Sequence, residues 1–126
     1  ILGILASIIV PKIASRPDEA KIIKAQQDIM ALESALEMYK LDNGFYPSTD
    51  QGLKALVLKP QSEPTPQHWR EGGYLKKLFK DPWDRDYLYL HPGAHGEIDV
   101  FSLGRDGKTG GSDFDKDLGN WTDEAS

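Results

Sequence analysis

The stretch DEAKIIKAQQDIMALESALEMYKLDN, residues 18–43, decides the fold of this 126-residue chain. Its apolar residues recur at spacings of three, four or seven, which is the period of one face of an α-helix. These apolar positions are Ile22, Ile29, Leu32, Leu36 and Tyr39, with Ala25 and Ala35 in the same stripe. The opposite face carries Glu19, Lys24, Gln27, Asp28, Glu33 and Lys40. The pattern therefore predicts a long helix with one buried face, which ends at the Asn43-Gly44 pair.

The chain before this stretch begins with the uncharged run ILGILASIIV at residues 1–10. As a helix this run reaches roughly 15 Å, about half the hydrocarbon thickness of a bilayer, so it cannot span a membrane alone. It fits one half of a membrane span, and because residue 1 is not Met we expect the natural protein to begin earlier. Pro11 and Pro17 follow, and each removes a backbone hydrogen bond, so we expect a kink or break before the long helix resumes.

The overall composition is that of one compact domain. Hydrophobic residues make up 39% of the chain and charged residues 28%, which excludes a disordered or polytopic membrane protein. The net charge of −5 argues against nucleic-acid binding, which needs clustered Lys and Arg. The chain has no Cys, which excludes disulfides, Cys-ligated zinc and a thiol nucleophile.

After Gly44 the sequence changes to short apolar pieces separated by Pro, Gly and Asn. Residues 50–57 start with a capping-type pattern and continue with apolar residues at helical spacing, which predicts a short second helix. Residues 87–90 and 98–103 are rich in aromatic and branched side chains, and the turn-forming segment 91–97 between them predicts an antiparallel hairpin. Three tryptophans, Trp69, Trp83 and Trp121, are interpreted as anchors that pack loops onto the helix and sheet.

The strongest chemical signal is the C-terminal segment SLGRDGKTGGSDFDKDLGNW at residues 102–121. It crowds Asp106, Asp113, Asp115 and Asp117 among several glycines. Such carboxylates repel one another, while glycine lets the backbone turn so that oxygen atoms converge on one point. A hard cation resolves the repulsion, and calcium accepts six to eight oxygens in flexible geometry whereas magnesium requires a strict octahedron. The segment therefore predicts a calcium site, with a solvated acidic loop of turn-forming pairs as the alternative.

The ligand pattern is not that of an EF-hand, because Leu118 would occupy the position at which that loop needs Gly. In an irregular loop around one ion, Asp106 and Asp113 are the predicted carboxylate ligands. Leu103 and Ser112 offer backbone carbonyls, and Asp115 or Asp117 adds a further ligand or neutralises charge. His91 and His95 lie on a Pro-Gly turn without a clear third ligand, which argues against zinc. No Ser, His and Asp spacing marks a catalytic nucleophile, so an enzyme is not predicted.

Seven stretches spread along the chain carry a resemblance to a known family. They are residues 1–11, 16–21, 39–43, 46–53, 73–77, 81–83 and 119–121. The sequence resembles the major pseudopilins of bacterial type II secretion systems, which are relatives of type IV pilins. The resemblance implies an α+β, pilin-like fold in which a long N-terminal helix packs on a small antiparallel sheet with a C-terminal calcium-binding loop. It places the helix at residues 1–43, with 1–10 as the remnant of the membrane anchor and fibre core, and a head at 44–126 continuous with it.

The function implied by the resemblance is structural. Such subunits are processed by a prepilin peptidase and held in the bacterial inner membrane by a single pass, with the globular part in the periplasm. They stack into a helical fibre that drives the export of folded proteins. The implied partners are further copies of the chain, minor pseudopilins, the inner-membrane assembly platform and the inner membrane itself, and not nucleic acid.

The resemblance also implies calcium in the C-terminal loop, with Asp106, Asp113 and the Leu103 carbonyl as ligands. Two departures stand out, because Phe79 replaces a common Pro and residues 84–86 replace a turn that usually contains Gly. A type IV pilin, a minor pseudopilin and a calcium-dependent binding module remain as alternatives. The pilin alternative is disfavoured because pilins usually close their C-terminal region with a disulfide, and this chain has no Cys.

Overall fold

A long helix organises the fold, and the computed structural model describes residues 2–111 and 115–122, with side chains from residue 17 onward. Helix α1 runs from Leu2 to Asn43. It continues through Pro11 and Pro17, so no break occurs there, and the expected kink stays a prediction. Each proline removes only one N–H donor, and the hydrogen bonds of the neighbouring turns keep the helix continuous. The helix ends as predicted, where Gly44 adopts a positive φ of 86° and its N–H donates to the Lys40 carbonyl at 2.7 Å.

The buried face of α1 is the predicted one. Its core residues are Ala25, Ile29, Leu32, Ala35, Leu36 and Tyr39, and Ile22 packs against them. One residue of the predicted polar face is different, because Asp28 is only 7% exposed. Its carboxylate accepts hydrogen bonds from Lys24 at 2.6 Å and from the Tyr87 hydroxyl at 2.7 Å. A buried carboxylate is tolerated where such donors satisfy it, so Asp28 joins the helix to the sheet rather than facing solvent.

The sheet has three short antiparallel strands, in the order β1-β2-β3. Strand β1 spans Leu88–Leu90, β2 spans Asp99–Ser102 and β3 spans Leu118–Gly119. The predicted hairpin is confirmed, with Tyr89 opposite Val100 in its centre. The third strand was not predicted, and it pairs with the other edge of β2 and brings the C-terminal segment onto the sheet.

The predicted second helix is shorter than expected. It is a 3₁₀ helix at Leu53–Leu56, preceded by Gly52 in the left-handed region at φ 64°. Ser48 and Gln51 make the reciprocal side-chain to backbone bonds of a capping box, at 3.1 and 3.0 Å. This box therefore closes the turn before Gly52 instead of starting an α-helix.

The three tryptophans anchor loops as predicted. Trp69 and Trp83 pack against the core, and the Trp69 indole N–H donates to the Ala55 carbonyl at 2.9 Å. Trp121 stacks on His95 with ring centroids 3.8 Å apart. Within residues 2–111 and 115–122, no helix combines the length and the apolar content that crossing a membrane requires.

Candidate metal centre

The segment before β1 is a tight turn built around a buried carboxylate. Lys80 and Asp86 form an isolated antiparallel bridge across this turn. Asp81, which is only 4% exposed, accepts hydrogen bonds from the N–H groups of Trp83 at 3.0 Å and Arg85 at 2.9 Å. Its second carboxylate oxygen accepts a bond from the Ser102 hydroxyl at 2.9 Å. Asp81 therefore fixes this turn against the end of β2, where the C-terminal loop begins.

The Arg85 side chain extends from this turn to the C-terminal loop. Its Nη2 donates to the carbonyl oxygens of Gly104 and Arg105, the second at 3.2 Å. Gly107 leaves the space for the guanidinium, because a Cβ at residue 107 would lie 2.8 Å from Arg85 Cζ. Sequence reasoning missed this contact, since a single Arg 19 residues before Gly104 carries no recognisable signal.

The two sides of the loop lie against each other at Gly104. A Cβ on this residue would lie 2.7 Å from the carbonyl oxygen of Asp115 and 2.5 Å from that of Lys116. Only glycine fits such an approach, and the φ of 80° at Gly104 also favours it. The backbone next to Leu103 is therefore adjacent to the backbone of Asp115, as a loop closed around one ion requires.

The predicted ligands are partly inside the described region. Asp106 is exposed, and its Oδ1 accepts a hydrogen bond from the Lys108 N–H at 3.0 Å. The Asp115 carboxylate is paired with Arg105 at 2.8 and 3.3 Å, and this guanidinium lowers the pKa of Asp115. Ser112 and Asp113 lie outside the described residues, so the geometry of the complete ligand set stays a prediction.

Asp117 provides the observation that fits a cation most directly. Its Oδ2 accepts a hydrogen bond from the Gly110 N–H at 3.1 Å. Its Oδ1 is buried and has no hydrogen-bond partner among the described residues. A buried carboxylate oxygen without a donor is costly, and a bound cation removes that cost. Although the described residues contain no group of three acidic, His or Cys side chains placed for a metal, the oxygen donors of this loop fit calcium chemically.

The two loop histidines serve other contacts. His91 Nδ1 lies 3.0 Å from the Pro47 carbonyl oxygen, and His95 Nδ1 lies 2.9 Å from Asp99 Oδ2. Asp99 is only 1% exposed and also accepts hydrogen bonds from the N–H groups of Ala94 and His95. Both imidazoles thus hold the turn between β1 and β2 in place.

A second candidate site is an apolar line on the outer side of α1. Ile23, Met30 and Leu41 are 55%, 52% and 78% exposed, respectively. Their spacings of seven and eleven residues place them along one line of the helix, and we call these three residues the exposed stripe. The stripe lies on a different side of α1 from the buried face, so its three apolar side chains are available for contacts outside the core of this chain.

Comparison with known proteins gives consistent results. The family model of the type II secretion system protein G matches residues 12–121. The type II secretion system core protein G of Pseudomonas aeruginosa is 60% identical over 121 residues, which are 96% of this chain and 85% of that protein. The core protein G of Vibrio cholerae is 59% identical over 121 residues, covering 96% of this chain and 82% of that protein.

A solved structure supports the same relationship. The crystal structure of the major pseudopilin from the type 2 secretion system of enterohaemorrhagic Escherichia coli is 47% identical to this chain. It superposes with a TM-score of 0.76 and covers 86% of this chain and 92% of its own. The expected α+β, pilin-like fold, with a long helix on a small antiparallel sheet, is thereby confirmed. This chain belongs to the type II secretion system protein G family, the family of the major pseudopilin.

Proposed function

We propose that this chain polymerises through its N-terminal helix into the periplasmic fibre that drives export of folded proteins in type II secretion. The observation that carries this proposal is the family match over residues 12–121, together with the long helix whose outer side carries the exposed stripe. The chain acts in this proposal as a structural subunit and not as an enzyme. Burial of apolar helix surface between subunits supplies the driving force for assembly.

The geometry of assembly follows from the shape of one subunit. A helix that contacts neighbours through different faces makes head-to-tail contacts, and such contacts propagate into an open helical filament unless the rotation closes. The uncharged run at residues 1–10 would form the fibre core, while the charged head sets the rise and rotation. The exposed stripe would add apolar area to the contact between successive subunits.

The proposed location is the bacterial inner membrane, with the head in the periplasm. Residues 1–10 would form part of a single-pass anchor before assembly, because an uncharged helix of this length enters about half of the hydrocarbon layer. Minor pseudopilins and the inner-membrane assembly platform are the proposed partners beside further copies of the chain. The resemblance of the sequence to major pseudopilins supports both parts of this proposal.

Calcium is the proposed ligand of the C-terminal loop. Asp106 and Asp113 would supply carboxylate oxygens, Asp117 would add its buried Oδ1, and Leu103 and Ser112 would supply backbone carbonyls. Asp115 pairs with Arg105 through its side chain, so its backbone carbonyl is the better candidate donor. Bound calcium would neutralise the crowded carboxylates and pin the loop against the sheet. A ligand that binds only the folded chain stabilises it by an amount set by its concentration relative to its Kd.

Thermal unfolding in chelator and in millimolar calcium, with magnesium as the control ion, tests the metal site. We expect calcium to raise the Tm of the parent chain, and Asp106→Ala and Asp113→Ala to lose most of that rise. Asp50→Ala is the matched control, because Asp50 is exposed and lies outside the loop. Equal Tm values in calcium and chelator for the parent would contradict the metal site.

Filament formation by the full-length protein tests the structural function. The parent is expected to assemble in calcium and to assemble poorly in chelator, because a loosened loop disturbs a subunit contact surface. Filaments of Asp106→Ala and Asp113→Ala subunits that match the parent in amount and protease resistance would show that calcium is not needed for assembly. A parent that stays monomeric under all conditions would contradict polymerisation itself.

A further inference from the structure

The C-terminal loop is held from one side by Arg85, a residue outside the predicted ligand set. The guanidinium Nη2 bonds the carbonyls of Gly104 and Arg105, which follow Leu103 directly. The N–H of Gly104 donates to the Ser102 hydroxyl at 3.1 Å, and that hydroxyl donates to Asp81. The backbone N–H of Arg85 donates to the same Asp81. Gly104 is thus fixed at both its N–H and its carbonyl by one closed circuit of hydrogen bonds.

We propose that Arg85 is a positioning residue that holds the turn at residues 103–107 in its folded shape before a cation binds. This inference rests on the proposed calcium function of the loop and concerns how the chain prepares its ligands. Leu103 and Asp106 flank the two carbonyls that Arg85 holds. Their backbone positions are therefore set by a side chain from the turn at 80–86 and do not depend on the ion.

The chemistry of the guanidinium explains why an arginine performs this role. Its Nη2 carries two N–H donors in the fixed plane of the group, and the group keeps its charge at every physiological pH, so this one nitrogen bonds two successive carbonyl oxygens. Hydrogen bonds from a charged donor are stronger than neutral ones. A lysine carries a compact ammonium at the end of a flexible stem, which reproduces the charge but not the fixed plane of the two donors.

A second arginine extends the same support to the far side of the loop. Arg105 bonds both oxygens of Asp115, and its Nη1 lies 3.4 Å from Asp18 of α1. The Arg105 side chain thus connects the segment that Arg85 bonds to two further parts of the chain. These are the other side of the loop, at Asp115, and the long helix, at Asp18. The Arg105 guanidinium places positive charge beside the Asp115 carboxylate, which reduces the repulsion between the loop carboxylates when no ion is present.

This arrangement has a measurable consequence for calcium binding. A loop that is already ordered binds its ion with little ordering cost, whereas the apparent Kd of a partly ordered loop rises by the inverse of its ordered fraction. If removal of the Arg85 guanidinium left the loop ordered about one tenth of the time, the Kd for calcium would rise about tenfold. The fully bound loop would be the same in both chains.

Amide hydrogen exchange in chelator is the first arm of the test. The parent should protect the amides of Gly104 and Gly107, and Arg85→Met should lose that protection while Arg85→Lys restores only part of it. The Tyr74 amide, which bonds the Leu56 carbonyl at 2.8 Å, reports whether the rest of the chain stays folded. Arg70→Met is the matched control, since Arg70 pairs with Asp42 away from the loop. If Arg85→Met protected Gly104 and Gly107 as well as the parent does, the proposal would be overturned.

Calcium titration of the same chains is the second arm. We expect a Kd about tenfold higher for Arg85→Met than for the parent, with loop protection restored at saturating calcium. A purely structural role would lower the Tm equally in chelator and in calcium and leave the Kd unchanged, and this result would overturn the proposal. If Arg85→Met did not fold, Arg85→Lys would carry both arms. If the parent bound no calcium, the proposed metal function would fail, while exchange in chelator would still decide whether Arg85 holds the turn.

Discussion

At the scale of single residues, Asp84 carries an identifiable conformational cost. Among the described residues it is the one non-glycine residue with positive φ, at 66°. The left-handed conformation costs an L-residue about 1–2 kcal/mol, less for Asp than for most, because its short side chain bonds locally. The family resemblance points to Gly in this turn, and the structure gives the physical reason for that preference. Asp84 is exposed, so its side chain has no packing to lose.

Asp84→Gly should therefore stabilise the chain. We expect the free energy of unfolding to rise by up to about 1 kcal/mol, which is the relief of left-handed strain less the extra entropy of glycine in the unfolded chain. Urea unfolding measures this change in the free energy of unfolding. Asp50→Gly is the control, because Asp50 is also exposed but has ordinary negative φ, and there glycine should be neutral or destabilising. A loss of stability in Asp84→Gly would mean that the Asp84 side chain contributes more than its backbone costs.

The buried Asp99 carboxylate gives a prediction about pH. Burial opposes its ionisation, yet the hydrogen bonds from the His95 ring and from the N–H groups of Ala94 and His95 outweigh burial and lower the pKa of Asp99 below its usual 3.8. A lowered carboxyl pKa stabilises the folded chain above about pH 4 and ceases to do so as pH falls through the folded value. Asp99→Asn should cost about 1–3 kcal/mol at pH 7, because buried donors lose their charged acceptor.

Denaturant unfolding from pH 7 to pH 2 tests whether the stabilisation by Asp99 is lost on acidification. The parent should be more stable than Asp99→Asn above about pH 4, and this difference in unfolding free energy should shrink below it. Asp86→Asn is a suitable control, since its carboxylate is exposed and its pairing with Lys80 at 3.0 Å is a surface contact. A difference that grew as the pH fell below about 4 would show that the neutral form of Asp99 is the stabilising one.

At the scale of elements, periodicity accounts for what the sequence predicts. The apolar spacing over residues 18–43 identifies the buried face of α1, and two branched and aromatic runs around a turn identify the β1–β2 hairpin. Strand β3 escapes prediction because it is only two residues, Leu118 and Gly119, and two residues have no period. Asp28 is misassigned for a related reason, since its burial depends on Tyr87, which is distant in sequence.

The Gln51 side chain connects two segments that are separate in the sequence, the turn that begins at Ser48 and the loop at residues 60–66. Its Oε1 accepts a bond from the Ser48 N–H, and its Nε2 donates to the carbonyls of Ser62 at 2.8 Å and Pro64 at 2.9 Å. Gln51→Ala should lower the free energy of unfolding by about 1–3 kcal/mol and speed proteolysis within residues 60–66. Limited proteolysis with mass spectrometry measures the second effect.

Two companion variants give this prediction its specificity. Gln51→Glu keeps the acceptor for Ser48 but replaces the donor by an oxygen that repels the two carbonyls, so it should release residues 60–66 as strongly as Ala does. Gln67→Ala removes only a bond to Thr65 at 3.4 Å and should leave the loop unchanged. Equal protease resistance of all four chains would show that the Gln51 bonds do not hold residues 60–66 in place.

At the scale of the whole molecule, the candidate site is less predictable than the fold. Acidic and glycine residues that lie close together in the sequence identify the C-terminal loop, so Leu103 and Asp106 can be predicted as ligands from the sequence alone. What supports the loop comes from distant segments, namely Arg85 from the turn at 80–86 and Asp18 from α1. Arg85 and Gly104 are 19 positions apart in the sequence, and Asp18 and Arg105 are 87 positions apart. No local spacing rule predicts contacts over such distances.

The exposed stripe of α1 predicts how substitutions on the helix change the critical concentration for filament formation. Each of its side chains is more than half exposed, so replacing Ile23 and Met30 by Gln, a good helix former, should change the stability of the single chain by less than about 0.5 kcal/mol. If neighbouring subunits cover the stripe, the double variant loses about 1–2 kcal/mol per contact, and the critical concentration of the full-length protein rises roughly 5–30-fold.

Sedimentation of filaments over a concentration series measures that rise, and Leu58→Gln is the matched control. Leu58 is 60% exposed but lies outside α1, so its replacement removes apolar area similar to that of either helix residue without touching the helix. A critical concentration raised only by the helix variant would assign the stripe to the subunit contact. Equal values for the double variant and the parent would mean that successive subunits meet elsewhere on the helix or head, because an apolar contact cannot lose two such side chains without weakening.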